Sequence, residues 1–298
     1  MALVINHNLM AMNAARNLNN SYDALSVSTR RLSSGLRIDN ASDDAAGLAV
    51  RELMRADITS LHQGVRNAND AISMIQTADG ALSVIDEKLI RMKELATQAS
   101  TGTYTSAQRM IIDSEYQAMA SEITRIANAT DFNGINLLNG NLSGASSDHD
   151  GSTLTPTGPA KIHFGTANDS AEDYYYVSID NSTASAFGLG LGAASTATGR
   201  SISTQELAQN ALTALTDAIV SKDQIRANLG ALQNRLENTI TNLEIQGENL
   251  SAAESRISDV DVSTEMTEFV RQQILTQSAV SMLSQANSLP QMALSLIG

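Results

Sequence analysis

Residues 11–36 read AMNAARNLNNSYDALSVSTRRLSSGL, and through them Ala11, Ala15, Leu18, Tyr22, Leu25, Thr29, Leu32 and Leu36 alternate in steps of four and three. A row spaced in this way stays on one side of an α-helix that meets a neighbour along a narrow seam, so the stretch reads as half of a coiled coil. Gly35 falls late in the row, and Asp39, Asn40, Ser42, Asp43 and Asp44 follow it. Capping side chains and acidic charge suit the start of a helix, where free N–H groups and the helix dipole favour them. A turn or spoke-like connection into a second helix is expected there.

Outward from that break the spacing resumes at Leu61, Val65, Ala68, Ile72, Ile75, Ala78, Leu82, Ile85, Leu89, Met92, Ala96 and Ala99, with one short step at Ala78 that shifts the seam. After a break containing Gly102, Ile112, Tyr116, Met119, Ile123 and Ile126 predict a shorter helix folded back on the long one, and Asp131-Phe132-Asn133-Gly134 closes it with turn chemistry. From Gly140 to about Arg200 the texture changes to Gly, Ser, Thr, Asn and Asp with Pro156 and Pro159. Within it, residues 161–164 and 174–179 are aromatic and β-branched enough for short strands of a small β insert.

Helical spacing returns after Ser203, through Leu229, Gln233, Leu236, Ile240, Leu243, Gly247, Leu250, Glu254 and Ile257. A last segment carries Met266, Phe269, Val270, Ile274, Leu275, Ala279, Met282, Leu283, Ala286 and Leu289, with Pro290 near its end. The expected fold is mainly α: a long antiparallel helical coiled coil or bundle built from both chain ends, with a small β-containing central insert. Residues 1–37 hold four arginines against one aspartate, and residues 252–298 hold two arginines against five carboxylates, so the two ends are complementary in charge.

Composition narrows the function. Aromatic residues make up 3% of the chain and Trp is absent, which suits helices meeting along seams better than a thick core. A net charge of −13 opposes binding to nucleic-acid phosphates. With no Cys there is no disulfide framework, thiol nucleophile or thiolate metal site. The N-terminal Met1-Ala2-Leu3-Val4-Ile5-Asn6-His7 has no basic region followed by an apolar one, and no stretch reaches the about 20 apolar residues of a membrane span. A protein without membrane insertion or a cleaved Sec signal is expected.

Chemistry finds little purchase. His7, His62, His149 and His163 form no HExxH or other close pair, so no metal or catalytic histidine site is read. Asp43-Asp44 and Asp259 with Asp261 suit helix caps better than acid–base or cation work. Gly188-Leu189-Gly190-Leu191-Gly192 lacks the spacing and strand–turn–helix setting of a phosphate loop and reads as a linker. The expectation is a structural protein, not an enzyme, with no cofactor.

Residues 33–49, Ser-Ser-Gly-Leu-Arg-Ile-Asp-Asn-Ala-Ser-Asp-Asp-Ala-Ala-Gly-Leu-Ala, closely resemble the flagellin signature, and residues 67–82 resemble a second one. A third follows in order, with Ser255-Arg256-Ile257-Ser258-Asp259-Val260-Asp261, Glu265-Met266, Gln273-Ile274-Leu275 and residues 282–287. The resemblance covers about residues 1–140 and 200–298; Asp39-Asn40 stands where many members read Asn-Ser, and Gly298 extends the usual apolar end.

The resemblance implies a subunit of the bacterial flagellar filament, used for motility and exported unprocessed by the flagellar type III system. The alternative within the same architecture is a hook–filament junction protein. It implies a terminal helical domain of residues 1–40 and 258–298 inside the filament, an outer helical rod of 41–140 and 201–257, and a variable surface insert of 141–200. The expected polymerisation seam is Leu18, Tyr22, Leu25, Leu32 and Leu36 with Leu275, Met282, Leu283 and Leu289. Implied partners are further flagellin subunits, an export chaperone, the filament cap and hook-associated junction proteins. Arg91, Leu95 and Glu115 match the family positions contacted by the vertebrate innate receptor for flagellin; read from the residues alone, they are a subunit contact and solvated charge.

Overall fold

The spaced rows become long helices. A computed structural model describes residues 8–143, 158–169, 172–189 and 201–297. His7, His149, residues 190–192 of the glycine run and the Leu289 side chain lie outside the described residues. The elements run α1 (Leu9–Ser34), α2 (Ala45–Ala99), α3 (Ser106–Ala129), β1 (Asp131–Phe132), β2 (Ile135–Asn136), β3 (Ala160–His163), β4 (Tyr174–Val177), α4 (Gln205–Ser258) and α5 (Val262–Ile297). The mainly α fold with a small β insert is as the spacing predicts. The chain divides into two compact units, one from residues up to 58 and from 248 onward, the other from 59–247.

In the 59–247 unit every position of the row from Leu61 to Ala99 is buried or half-buried, and α3 and α4 share its core through Tyr116, Ile123, Leu215 and Leu229. Thr105 and Gln108 close a reciprocal capping box at the start of α3. Arg109 donates to the carbonyls of Ala99 at 2.8 Å and Thr101 at 2.6 Å, satisfying the end of α2. The buried Asp113 accepts the Ile202 N–H at 2.7 Å and so fixes the entry to α4. Between α2 and α4, Arg226 reaches Asp79 at 2.7 Å and the buried Lys222 ammonium lies 2.6 Å from Asp86; within α4 the same ammonium lies 2.7 Å from Asp223.

Asn133 and Gly134 both take positive φ, 51° and 80°, which makes the tight turn that pairs β1 with β2. β3 and β4 pair antiparallel from Ala160↔Val177 to His163↔Tyr174. Gly188 is no linker: one helical turn ends there at φ 71°, with Leu189 N–H donating to Ala184 O at 2.8 Å and Gly188 N–H to Ser185 O at 3.1 Å. That bond pair is a Schellman cap, and the hydrophobic residue after its glycine, Leu189, is buried as the motif favours.

The β3–β4 insert is seated on α2 at Gly64, where an added Cβ would stand 2.0 Å from the Phe164 carbonyl oxygen. Asn67 donates to His163 O at 2.8 Å one turn along, and the Arg235 guanidinium lies 3.6 Å from the centre of the Tyr175 ring. Gly64→Ala is expected to unseat the insert and cost about 1–3 kcal/mol, as overpacking does. Gly80→Ala, whose Cβ meets nothing within 4 Å, should instead stabilise the same helix by about 0.5–1 kcal/mol. Thermal unfolding of the two variants checks both signs.

Candidate assembly surface on the terminal helices

Asn8 opens α1 by accepting the Ala11 N–H, and its amide donates to the Ala286 carbonyl at 2.8 Å, tying the start of α1 to α5. The two helices pack on one another. The side of α1 that loses solvent carries Ala14, Leu18, Ser21, Leu25, Ser28 and Leu32; that of α5 carries Phe269, Gln272, Thr276, Ala279, Leu283 and Ala286. Much of this edge is small or polar, so it permits close approach and hides little apolar surface. Leu9, Met10, Met12 and Tyr22 stay exposed on α1, and Val262, Met266, Val270, Ile274, Leu275, Val280, Met282 and Met292 on α5.

The expected seam residues separate accordingly. Leu18, Leu25, Leu32, Leu36 and Leu283 are half-buried, whereas Tyr22 is 63% exposed, Leu275 46% and Met282 61%. Neighbours in a helix point about 100° apart, so of an adjoining apolar pair only one can face the partner. Leu283 faces inward and Met282 outward; Phe269 is half-buried and Val270 exposed; and beside the exposed Ile274 and Leu275 the inner place is taken by Thr276. Val262, Met266, Val270 and Ile274, four residues apart, form an open apolar stripe.

Both helices break beside one another. Gly35 ends α1 at φ 73°, its N–H on Arg31 O. The next residues pair with the link between α4 and α5: Val260 N–H donates to Gly35 O at 3.0 Å and Arg37 N–H to Ser258 O at 2.6 Å, while the Arg37 guanidinium holds Ile257 O at 2.7 Å. Leu36, given to the seam by its spacing, thus sits in a β-bridge with Asp259. Arg31 reaches Glu265 at 3.8 Å across the helices, one direct expression of the complementary ends.

Two of the four acidic residues read as caps do cap; Asp259 instead accepts the Ser255 hydroxyl at 2.6 Å, and Asp43 accepts the N–H groups of Asp39 and Asn40 within the preceding turn. Asp44 accepts the N–H groups of Ala46 and Gly47, and Asp261 those of Ser263 and Thr264. Thr264 and the two amides hold the Asp261 carboxyl below its ordinary value. Asp43 is held low chiefly by the Asn40 N–H, against some desolvation, with the Asp39 N–H, Arg30 and Arg31 adding to it. Two residues of this joint escape sequence reading. Arg51 is buried and donates to Ile38 O at 2.6 Å, and Gly47 leaves room that a Cβ would deny, 2.7 Å from Ile38 Cδ1. Gly47 lies inside the signature of residues 33–49, which was the available signal.

In the 59–247 unit, Arg91 and Glu115 are exposed and joined at 2.8 Å, with Glu94 also on Arg91; these carboxylates raise the guanidinium further above its ordinary value. Leu95, one helical turn from Arg91, is buried in the core. Among the described residues no group of three His, Asp or Glu side chains is placed to hold a metal ion, and no helix is long and apolar enough to cross a membrane.

Residues 5–143 match the bacterial flagellin N-terminal helical region, and residues 212–297 the bacterial flagellin C-terminal helical region. The chain is 40% identical over 296 residues to the flagellar filament 33 kDa core protein of Treponema phagedenis, covering 99% of this chain and 100% of that protein. It is 40% identical over 309 residues to the flagellin of Bacillus subtilis strain 168, covering 98% and 99%. A putative flagellar hook-associated protein from Vibrio parahaemolyticus superposes with a TM-score of 0.54 at 15% identity, over 73% of this chain and 100% of that one, a likeness of fold alone.

The joint should be acid-sensitive. Asp43 and Asp261 titrate below 3.8 when folded, so the unfolded chain takes up protons first; their contribution is complete above about pH 4 and fades as pH falls through the lower folded values. Protection of the Asn40, Ser263 and Thr264 amides from hydrogen exchange, relative to their intrinsic rates at each pH, should fall over that range, and Asp43→Asn with Asp261→Asn should lower it already at neutral pH.

Proposed function

The chain belongs to the bacterial flagellin family, a family of structural proteins, and we propose that it polymerises through α1 and α5 into the extracellular flagellar filament that drives motility. The observation that carries this reading is the apolar surface left open on both terminal helices after they have packed on each other. Each such side chain covered by a neighbouring copy contributes roughly 1.5–3 kcal/mol, so many copies gain what one cannot. A patch that meets a different patch on the next copy, with a rotation that does not close, builds an open helix of subunits. No bond-making residue is required.

In this reading residues 1–40 and 258–298 form the filament's inner core, 41–140 and 201–257 the outer rod, and 141–200 the surface insert. The half-buried Leu18, Leu25, Leu32, Leu36 and Leu283 hold the pair together, while Tyr22, Leu275 and Met282 meet neighbouring copies. Leu289 is assigned to the same contacts. Export is unprocessed, through the flagellar type III route, with a chaperone, a filament cap and hook-associated proteins as partners. Full-length similarity to filament proteins favours the filament over the junction role.

Deleting residues 1–37 or 262–298 should leave a soluble protein that forms no sedimentable filaments at concentrations where the full chain does; long filaments of either truncation under the electron microscope would overturn the role given to these helices. The exposed Arg91–Glu115 pair is the face proposed for the vertebrate innate receptor; Leu95, at 2% exposure, lies in the core and is not open to such a contact. A monomeric Arg91→Ala, Glu115→Ala variant should signal weakly through that receptor, and undiminished signalling would remove the assignment.

A further inference from the structure

Eleven methionines occur in a chain with no Cys and no Trp, so thioether sulfur is its most readily oxidised side-chain group. Their placement is uneven. Met74 and Met92 are buried in the core of the 59–247 unit, and Met54 and Met119 are half-buried. Met10, Met12, Met266, Met282 and Met292 are between 45% and 65% exposed, and all five lie on α1 and α5; among the described residues Met110 alone is as open elsewhere. The accessible sulfurs are therefore concentrated on the helices that carry the assembly surface.

We infer that these five thioethers form a reversible oxidation site that governs whether a free subunit can join the polymer. The inference rests on the assembly reading above. The oxidant is a two-electron peroxide: a sulfur lone pair attacks one peroxide oxygen, the O–O bond breaks, an S–O bond forms and the second oxygen leaves as water. The thioether gives up two electrons and hydrogen peroxide is reduced. Reversal by a methionine sulfoxide reductase consumes two thiols and yields a disulfide and water.

Sulfoxide formation turns a soft apolar contact into a strong acceptor with no assured donor. Met266 shows the consequence, because it stands in the stripe of Val262, Val270 and Ile274, where an N–H or O–H from a neighbouring apolar surface is not supplied. Met282 stands beside Leu283 at the edge of the α1–α5 seam, where added polarity also works against close packing. Oxygen added before assembly blocks burial; oxygen offered after assembly finds the same sulfurs covered.

The test uses the full-length subunit, hydrogen peroxide and filament seeds. Peptide mass spectrometry should place sulfoxide at Met10, Met12, Met266, Met282 and Met292 well ahead of Met74 and Met92. The oxidised subunit should need at least about a tenfold higher concentration to extend seeds. Reductase with a dithiol should restore extension, and preformed filaments given the same dose should take up far less oxygen at these five positions. A subunit with all five replaced by Leu should extend seeds before and after peroxide alike. If that variant does not assemble, the pairs Met10→Leu, Met12→Leu and Met266→Leu, Met282→Leu should each lessen the peroxide effect. Extension by a fully oxidised subunit at the untreated concentration would overturn the inference, as would peroxide sensitivity unchanged in the Leu variants. An untreated subunit that never extends seeds would overturn the filament reading instead.

Discussion

Two helices side by side share a single line of contact, and that line covers only a fraction of each circumference. In α1 and α5 it alternates Leu18, Leu25, Leu32, Phe269 and Leu283 with the smaller Ala14, Ser21, Ser28, Thr276, Ala279 and Ala286, so the pair closes tightly and leaves many of its larger apolar residues outside. Everything distinctive about this end of the molecule follows from that division. The inner edge fixes which helix meets which, and a large apolar surface stays outside the pair. Were all of the large residues on the inside, the pair would leave no apolar surface open.

The joint at Gly35–Arg37 and Ser258–Val260 gives the pair its register. Backbone hydrogen bonds there do not depend on side-chain size, and they align the two breaks at one point along the helices. Caps from Asp44 and Asp261 restart α2 and α5, while Arg51 holds the Ile38 carbonyl from the next helix. Fixed ends of this kind hold the two helices, and the apolar stripes on them, in one register.

What could be read in the chain was whatever is local. The row from Leu61 to Ala99 is buried or half-buried throughout because helix geometry alone decides which residues share a side. The Asn133-Gly134 turn and the aspartate caps were legible for the same reason. The facing of the terminal helices was less so: adjoining pairs such as Met282 and Leu283 carry equal apolar character, and only the partner's position decides which turns inward. Gly64 in a long helix looks like a weakness until the Phe164 carbonyl is seen against it, and Gly188 looks like slack until its bond and that of Leu189 are drawn. Long-range contacts leave no periodic trace.

The bond from Asn8 to Ala286 joins residues separated by 278 positions, and the Arg37 guanidinium reaches Ile257 across 220. The earlier helix therefore completes its pairing only with one made much later. At about 5–20 residues per second that interval is about 15–60 s, far longer than a helix takes to form and dissolve. Throughout it the early segment is an unmatched amphipathic ribbon, so the cell must keep it apart from its own copies until translation has delivered the other half.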